Sequence, residues 1–417
     1  LYRLTGDNEP QLLWETTDWI GEPAWSRSGH WLFFTRWRND GGSHDLWVLP
    51  ASGGEPQRVT DAPSWESHVT TGQAHDDALP PTLTTRAPVA TQVSPLALGF
   101  NVANLDNSYL SHDLGFGWAK GFADWERAEA EPGAFRWIDI DNTVQRTEEA
   151  GLQLLLRVDR SPTWARPPDT TGSHPPTDLN AYARFWETLA TRYRGRVAAY
   201  ELWNEPNLSL EWGNQRPDPA YYVEMLRVVH ATLQRIDPDA ILIVGALAVT
   251  GEGNDRSMGE LEWMRGFYEA LGPAEPRPYD AFSTHPYGFG QPPDFPVEAG
   301  LGLRRLEEHR ALMEQWGDSS PLWLTELGYP RRTPGWSLGE HEHWVVSDDD
   351  QARYLVETLD WIEGNYPFVE AVFFFNLDFS TVDWYSADEQ MRAYAILDSS
   401  RAPLPAFTAL RQRWLGR

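Results

Sequence analysis

Several features common in proteins are missing from this sequence of 417 residues. It has no cysteine, which excludes disulfides, thiolate metal sites and a cysteine nucleophile. No apolar run reaches the roughly 18 residues that mark a transmembrane helix, so no membrane span is expected. Lysine is nearly absent, because Lys120 is the only one among 34 basic residues. Position 120 is conspicuous because it has a compact ammonium group, whereas arginine is used everywhere else.

Positive charge is also scarce, and the formal net charge is −27. Nucleic acid would be repelled, since its binding depends on Lys and Arg that neutralise phosphates. The excess of negative charge is also explained by an acidic surface that keeps the protein soluble. The sequence starts at Leu1 without a visible secretory signal, so we expect that the natural chain begins earlier. We expect an extracellular or cell-surface protein of a bacterium.

The first part of the chain, residues 1–72, has the composition of an all-β segment. The runs 31–37 (WLFFTRW) and 44–49 (HDLWVL) are strand-like, and Asn-Asp-Gly-Gly at 39–42 is a strong turn signal. Together with PAWSRSG at 23–29, these runs resemble one blade of a TolB-type, WD40-like propeller. A closed propeller needs about 4–8 blades, so the segment cannot close alone. Its protein partner, if it has one, cannot be named from the sequence.

Residues 73–94 are rich in Thr, Pro and Ala and are predicted to be a linker. From residue 95 to 417, apolar runs of strand length alternate with helical patterns, which predicts a (β/α)8 TIM barrel. A doubly wound sheet is the competing architecture, but the glycine-rich phosphate loop that usually accompanies it is not seen. The eight candidate strands are 96–101, 114–118, 152–158, 197–203, 240–246, 279–285, 322–326 and 369–376.

The helices between these runs carry start signals. Asp178 is a candidate cap for one helix, and Asp218-Pro219 begins another. Asp348–Asp350 are predicted to cap a third. Each is followed by apolar residues at helical spacing, as expected for helices that cover a barrel.

Two glutamates stand at the ends of predicted strands. Glu205 follows the fourth strand, and Glu326 ends the seventh. The carboxyl ends of barrel strands form the usual active-site face, and these two strands lie on opposite sides of a barrel. Cleavage of a glycosidic bond needs two carboxyl groups that flank it, one to protonate the leaving oxygen and one to attack or to direct water.

The run Trp-Asn-Glu-Pro-Asn-Leu at 203–208, with a glutamate ending the seventh strand, resembles glycoside hydrolase clan A, and family 39 most of all. Other matching stretches are WAK at 118–120, RVD at 157–159, HPY at 285–287 and ILD at 396–398. The resemblance covers about residues 95–417. It implies a retaining enzyme that cleaves β-glycosidic bonds of an oligo- or polysaccharide without a cofactor.

The resemblance also implies roles for individual residues. Glu205 would be the general acid/base and Glu326 the nucleophile. Asn204 would bind the sugar 2-hydroxyl, Tyr287 would hold Glu326 through its hydroxyl, and His285 would line the same pocket. The last strand reads Phe373-Phe374-Phe375-Asn376, where the clan usually presents tryptophan, which leaves the shape of the sugar floor open.

Further residues are candidates for substrate binding, each with a structural alternative. An ion pair with Asp124 is the alternative for Lys120, and capping of the last strand is the alternative for Asn376. The tryptophans could equally be core residues. These candidates are Lys120, Arg157, Trp118, Trp164, Trp203 and Asn376. No metal site is predicted, since His341 and His343 have no third ligand at a suitable spacing.

Two other functions use the same features. A transglycosylase would employ both glutamates with a sugar as acceptor, and product analysis distinguishes it from a hydrolase. A non-catalytic glycan-binding or scaffold protein would find some support in the propeller-like segment. The identity of the sugar, endo or exo action and the oligomeric state are not determined by the sequence.

Overall fold

The computed structural model describes residues 2–4, 10–16, 18–25, 31–37, 45–59 and 96–416, the last range without 274–275, 334–335 and 387. The chain divides into two compact units, Leu1–Gln92 and Val93–Arg417. The predicted linker, 73–94, lies outside the described residues. No helix in the described ranges is long and apolar enough to cross a membrane.

The first unit contains antiparallel sheets. β1 (Tyr2–Leu4) pairs with β2 (Pro10–Leu12). A four-stranded sheet follows in sequence order: β3 (Trp19–Trp25), β4 (Trp31–Trp37), β5 (Asp45–Pro50) and β6 (Gln57–Arg58). Leu32, Phe34 and Leu49 form its small buried core. A four-stranded antiparallel meander is the architecture of one propeller blade, so the predicted all-β segment is confirmed.

The second unit is a parallel barrel. Its strands are β7 (Ala97–Asn101), β8 (Trp118–Asp124), β9 (Gln153–Asp159), β10 (Ala199–Leu202), β11 (Ile241–Val244), β12 (Leu247–Ala248), β13 (Phe282–His285), β14 (Leu322–Leu327) and β15 (Val369–Phe374). β11 and β12 are two parts of the fifth strand. Pairing of β15 with β7, of β12 with β13, and the Ile243–Ala281 bridge close the circle. The predicted (β/α)8 fold is confirmed.

Helices surround the sheet. They are α1 (Leu110–Asp113), α2 (Trp125–Ala128), α3 (Ile138–Glu149), α4 (Leu179–Tyr193), α5 (Pro219–Ile236), α6 (Glu260–Leu271), α7 (Arg305–Gln315), α8 (Asp348–Asn365) and α9 (Pro405–Leu415). Asp178 and Asp218 cap α4 and α5, accepting hydrogen bonds from two backbone N–H groups each. The cap of α8 is Ser347, and not Asp348–Asp350 as predicted. The three aspartates form the first turn of the helix, where the helix dipole stabilises negative charge.

The second strand differs from its prediction. It runs over Trp118–Asp124 and not over 114–118. Leu114 and Phe116 are buried, but they lie in a loop, where Phe116 stacks on Phe100 with ring centroids 4.8 Å apart. The true strand carries Lys120 in its middle, and this charge interrupted the apolar pattern. Burial alone therefore did not identify the strand.

The barrel interior is layered, because alternate residues of each strand point inward. A first layer near the amino ends of the strands is apolar: Trp118, Leu155, Ala199, Ile243, Ala281, Trp323, Ala371 and Phe373. Two residues further along their strands stand Lys120, Glu201, Ser283 and Thr325, all buried. The inside thus changes from apolar to polar toward the face where the strands end.

One buried tyrosine joins the fourth and fifth strands where they end. The Tyr222 hydroxyl donates to the Leu202 carbonyl at 2.8 Å and accepts from the Gly245 N–H at 2.6 Å. A Cβ at Gly245 would lie 2.1 Å from that same carbonyl oxygen, so only glycine permits this approach.

We predict that Tyr222→Phe lowers the free energy of unfolding by about 1–3 kcal/mol, since both backbone groups lose a buried partner. Urea titration measures it. Tyr109→Phe is the matched control, because Tyr109 is 56% exposed and surface changes stay within about 0.5 kcal/mol. Equal stability of the two variants would contradict the bridging role of the Tyr222 hydroxyl.

Candidate active site

The Glu205 side chain is held by a tight turn after β10. Trp203 and Glu205 both have positive φ, 73° and 37°, and such conformations persist only where the surroundings enforce them. The buried side chain of Asn207 stabilises this turn. It accepts from the Ala248 N–H and donates to the Ala248 carbonyl, both at 2.9 Å. The loop that carries Glu205 is therefore tied to the fifth strand.

Glu326 lies within β14 and receives hydrogen-bond donors from three other strands or their loops. The Tyr287 hydroxyl donates to Oε2 at 2.8 Å. Lys120 Nζ lies 3.2 Å and an Arg157 terminal nitrogen 3.4 Å from Oε1. The Glu326 side chain is 10% exposed. A nearly buried carboxylate with three such partners is stabilised in its charged form.

The pKa of Glu326 follows from these neighbours. Burial alone would raise it, but the charges of His285 when protonated, Lys120 and Arg157, with the Tyr287 hydroxyl, lower the pKa to about 2. Burial raises the pKa of Tyr287 well above its usual value, so its hydroxyl stays a donor. Glu326 is therefore ionised over the whole physiological range.

Glu205 has a different environment. Its side chain is 19% exposed, and His285 Nδ1 lies 2.8 Å from its Oε1. The same nitrogen lies 3.8 Å from Glu326 Oε2. His285 itself is buried at the end of β13. The fold thus brings the two predicted glutamates to the same nitrogen of one imidazole.

Lys120 pairs mainly with a carboxylate that was not predicted to be a site residue. Its Nζ lies 2.8 Å from Glu201 Oε2, and both side chains are fully buried. Burial alone would raise the pKa of Glu201, but the Lys120 charge and the Thr325 hydroxyl lower it. The predicted alternative partner, Asp124, lies at the far end of β8 and pairs with Arg127. Glu201 could have been identified from the sequence. It lies four residues before Glu205, at a position that the alternation of side chains along the strand places inside the barrel.

Arg157 connects the two sides of the site. Its guanidinium donates to Asn204 Oδ1 at 2.8 Å, pairs with Asp159 at 2.9 Å and contacts Glu326. Burial alone would lower the pKa of Arg157, but these carboxylates raise it further above its usual value. Asn204 therefore presents its amide oxygen to Arg157.

Two tryptophans predicted as sugar platforms lie inside the protein, and that prediction was wrong. Trp118 belongs to the apolar layer at the amino ends of the strands, with its ring centroid 5.5 Å from that of Trp323. Trp203 is 1% exposed, and its indole N–H donates to the Glu211 carbonyl at 2.7 Å. Rings that the core already covers have no face to offer a sugar.

Asn376 also differs from its predicted binding role. Its Nδ2 donates to the Met391 carbonyl at 2.8 Å, and its Oδ1 accepts from the Phe379 N–H at 2.9 Å. The side chain therefore caps the last strand and holds the following loop. Trp164 is half-buried against Trp125, ring centroids 5.6 Å apart, and its stacking role stays a prediction.

Two aromatic residues lie beside the glutamates: Tyr394, which was not identified from the sequence, and Phe375, which was noted only within the run that ends the last strand. Phe375 and Tyr394 both pack edge-on against Tyr287, with ring centroids 5.9 and 5.4 Å away. They buttress the tyrosine that holds Glu326. Among the described residues, no group of three or more potential ligands could hold a metal ion.

Comparison with known families identifies the class. A family model described as cellulase, glycosyl hydrolase family 5, matches residues 125–354, more than half of the chain. With the barrel, this defines a glycoside hydrolase of clan A, as the sequence resemblance implied. The chain belongs to the cellulase family, glycosyl hydrolase family 5. No curated protein matches the sequence.

Solved structures share the fold. A family 39 glycoside hydrolase from the gut symbiont Bacteroides cellulosilyticus WH2 has 19% identity and a TM-score of 0.58, over 92% of this chain and 69% of that chain. A glucosidase from Croceicoccus marinus has 16% identity and a TM-score of 0.56, over 78% and 67%. Xylanase 10B from Thermotoga maritima has 17% identity and a TM-score of 0.52, over 77% and 95%. At such identities the likeness concerns the fold alone.

We predict that Lys120→Met lowers the free energy of unfolding by about 3–5 kcal/mol at neutral pH, because Glu201 then stays buried without its cation. The loss should shrink as pH falls below about 4.5, where carboxylates are protonated in the unfolded chain. Denaturant titrations at pH 7 and near pH 4 measure it. The double variant with Glu201→Gln should recover much of the loss. A penalty that is independent of pH and is not rescued would contradict the ion pair's role.

Proposed function

We propose that this glycoside hydrolase cleaves β-glycosidic bonds of an oligo- or polysaccharide with retention of configuration, with Glu205 as acid/base and Glu326 as nucleophile. The observation that carries the proposal is the position of both carboxyl groups around His285 Nδ1, at 2.8 and 3.8 Å. Of the two, Glu326 is stabilised as a carboxylate by contacts with Lys120, Arg157 and Tyr287.

The spacing supports retention. The two oxygens that approach His285 can be no farther apart than the sum of their distances to Nδ1. Retaining enzymes hold their carboxyl groups about 5–5.5 Å apart, and inverting enzymes about 6.5–9.5 Å, to leave room for a water. The largest possible separation of these two oxygens reaches only the lower edge of the inverting range, so their closeness favours retention.

The charges support the division of roles. A nucleophile must be ionised before the sugar arrives, and Glu326, with a pKa of about 2, meets that requirement. In the first step its oxygen attacks the anomeric carbon while Glu205 gives its proton to the leaving oxygen. In the second step Glu205 takes a proton from water, whose oxygen displaces Glu326.

Binding of the sugar adds to this division. Arg157 occupies Asn204 Oδ1, so the Asn204 amide N–H groups can donate to the hydroxyl next to the anomeric carbon. Such a contact strengthens in the transition state. Arg157 thereby orients a substrate-binding group and stabilises the nucleophile with the same guanidinium.

We expect Glu326→Gln to lose about 10⁴-fold or more in kcat on every substrate, because the attacking oxygen is neutralised. Glu205→Gln should lose about 10²–10⁴-fold on substrates with poor leaving groups, and far less on aryl glycosides whose phenolate leaves unaided. A panel of aryl β-glycosides and soluble polysaccharides measures both effects. Glu131→Gln, at an exposed position, is the control and should match wild type. Wild-type rates in Glu326→Gln would overturn its role.

The stereochemistry gives an independent prediction. The sugar first released from a β-glycoside should be the β-anomer, since two displacements restore the configuration. Proton NMR during the first minutes of a concentrated reaction distinguishes it from the α-anomer before mutarotation. Initial release of the α-anomer would mean that Glu326 directs water rather than attacks.

A further inference from the structure

Thr325 lies between a buried carboxylate and the imidazole that contacts Glu205. Its Oγ1 is 2.6 Å from Glu201 Oε1 and 3.1 Å from His285 Nε2. All three side chains are buried. On the other side of the ring, His285 Nδ1 is 2.8 Å from Glu205 Oε1. These contacts form one continuous chain from Glu201 to Glu205.

The donors in this chain can be assigned one by one. Glu201 is paired with Lys120 at 2.8 Å, so it is an ionised acceptor and has no proton to give. A threonine hydroxyl has one proton, and the 2.6 Å contact places it on the bond to Glu201. Thr325 Oγ1 can then only accept from the ring, because two facing lone pairs would repel. His285 Nε2 therefore carries a hydrogen.

This assignment decides what Glu205 faces. In a neutral imidazole with its hydrogen on Nε2, Nδ1 is an acceptor. An ionised Glu205 would set its own lone pair against that nitrogen at 2.8 Å. The contact becomes a hydrogen bond when one proton lies between Nδ1 and Glu205 Oε1, and as long as the ring is neutral that proton belongs to Glu205.

We propose that Glu201 and Thr325 are positioning residues that hold His285 as the Nε2–H tautomer and thereby keep a proton on Glu205 in the resting enzyme. This proposal rests on the acid/base role of Glu205. It assigns a purpose to the buried Glu201, beyond its pairing with Lys120.

The chain acts in both halves of the reaction. When the glycosidic C–O bond breaks, the Glu205 proton moves to the leaving oxygen, and the new carboxylate faces the Nδ1 lone pair. That repulsion favours the return of a proton. In the second half the proton comes from the attacking water, as its oxygen bonds to the anomeric carbon and the bond to Glu326 breaks. The tautomer thus strengthens Glu205 as a base without itself exchanging a proton.

Other charged groups also lie around His285. They are the carboxylates of Glu326 and Glu201 and the cations Lys120 and Arg157, which contact Glu326. The neutral hydroxyl of Tyr287 packs edge-on, with its ring centroid 6.3 Å away. A test must therefore change the hydroxyl of Thr325 and leave these charges in place.

Thr325→Val removes the hydroxyl, keeps the shape and leaves the ion pair of Lys120 with Glu201 intact. His285 can then adopt the Nδ1–H tautomer, which donates to Glu205 and stabilises its carboxylate. The alkaline limb of the kcat/KM profile should move down by about one pH unit, and the acid limb should stay. Substrates with poor leaving groups should slow by about tenfold at neutral pH, and those with good leaving groups little. Thr325→Ser keeps the hydroxyl and should behave as wild type.

Nitrogen-15 NMR of histidine-labelled enzyme reads the tautomer directly, with the His285 signals assigned by their loss in His285→Gln. We expect the Nε2–H form in wild type and Thr325→Ser, and the Nδ1–H form in Thr325→Val. An Nδ1–H form or a doubly protonated ring in wild type, or an unmoved alkaline limb in Thr325→Val, would overturn the proposal. If Glu205→Gln itself showed no dependence on the leaving group, the acid/base assignment would be the part that fails. The tautomers would still decide the role of Thr325.

Discussion

The site depends on one buried ion pair. Lys120 and Glu201 meet at 2.8 Å inside the barrel with no exposure of either side chain. Removal of two such charges from water costs several kcal/mol each, and only close pairing and further hydrogen bonds offset this cost. Lys120 comes from the second strand and Glu201 from the fourth. Thr325 of the seventh strand contacts both, because its hydroxyl donates to Glu201 and its carbonyl accepts from Lys120. The three strands are thus held in register directly beneath the mouth.

The same pair makes the two glutamates different. The Lys120 ammonium also lies 3.2 Å from Glu326. Arg157 and Tyr287 contact Glu326 as well, and together the three groups stabilise it as a carboxylate. Glu205 faces none of these cations directly. Its partner is His285, whose other nitrogen leads back through Thr325 to Glu201. The proposed division of roles rests on this difference between the partners of the two carboxyl groups.

The sequence predicted the parts of this arrangement that sit at strand ends. Glu205 and Glu326 are polar residues that interrupt or follow apolar runs, so their positions could be inferred, whereas His285 and Tyr287 were identified through the family resemblance. The interior of the strands was harder to read. Lys120 broke the pattern of the second strand and shifted its predicted bounds, and Glu201 received no role because it lies within an apolar run. Trp118 and Trp203 were misjudged since composition cannot tell a ring packed in the core from one that faces a sugar, a difference that only tertiary packing decides.

The hydrogen-bond geometry explains why lysine stands at position 120. The ammonium has three donors, and three oxygens surround it: Glu201 Oε2 at 2.8 Å, Glu326 Oε1 at 3.2 Å and the Thr325 carbonyl at 3.4 Å. A guanidinium presents five donors in a rigid plane. At a fully buried site, two of them would exceed the acceptors that surround the ammonium, and each buried donor without a partner costs about 1–3 kcal/mol. In a chain that otherwise uses arginine for positive charge, the single lysine occupies a position where the larger, planar group could not be satisfied.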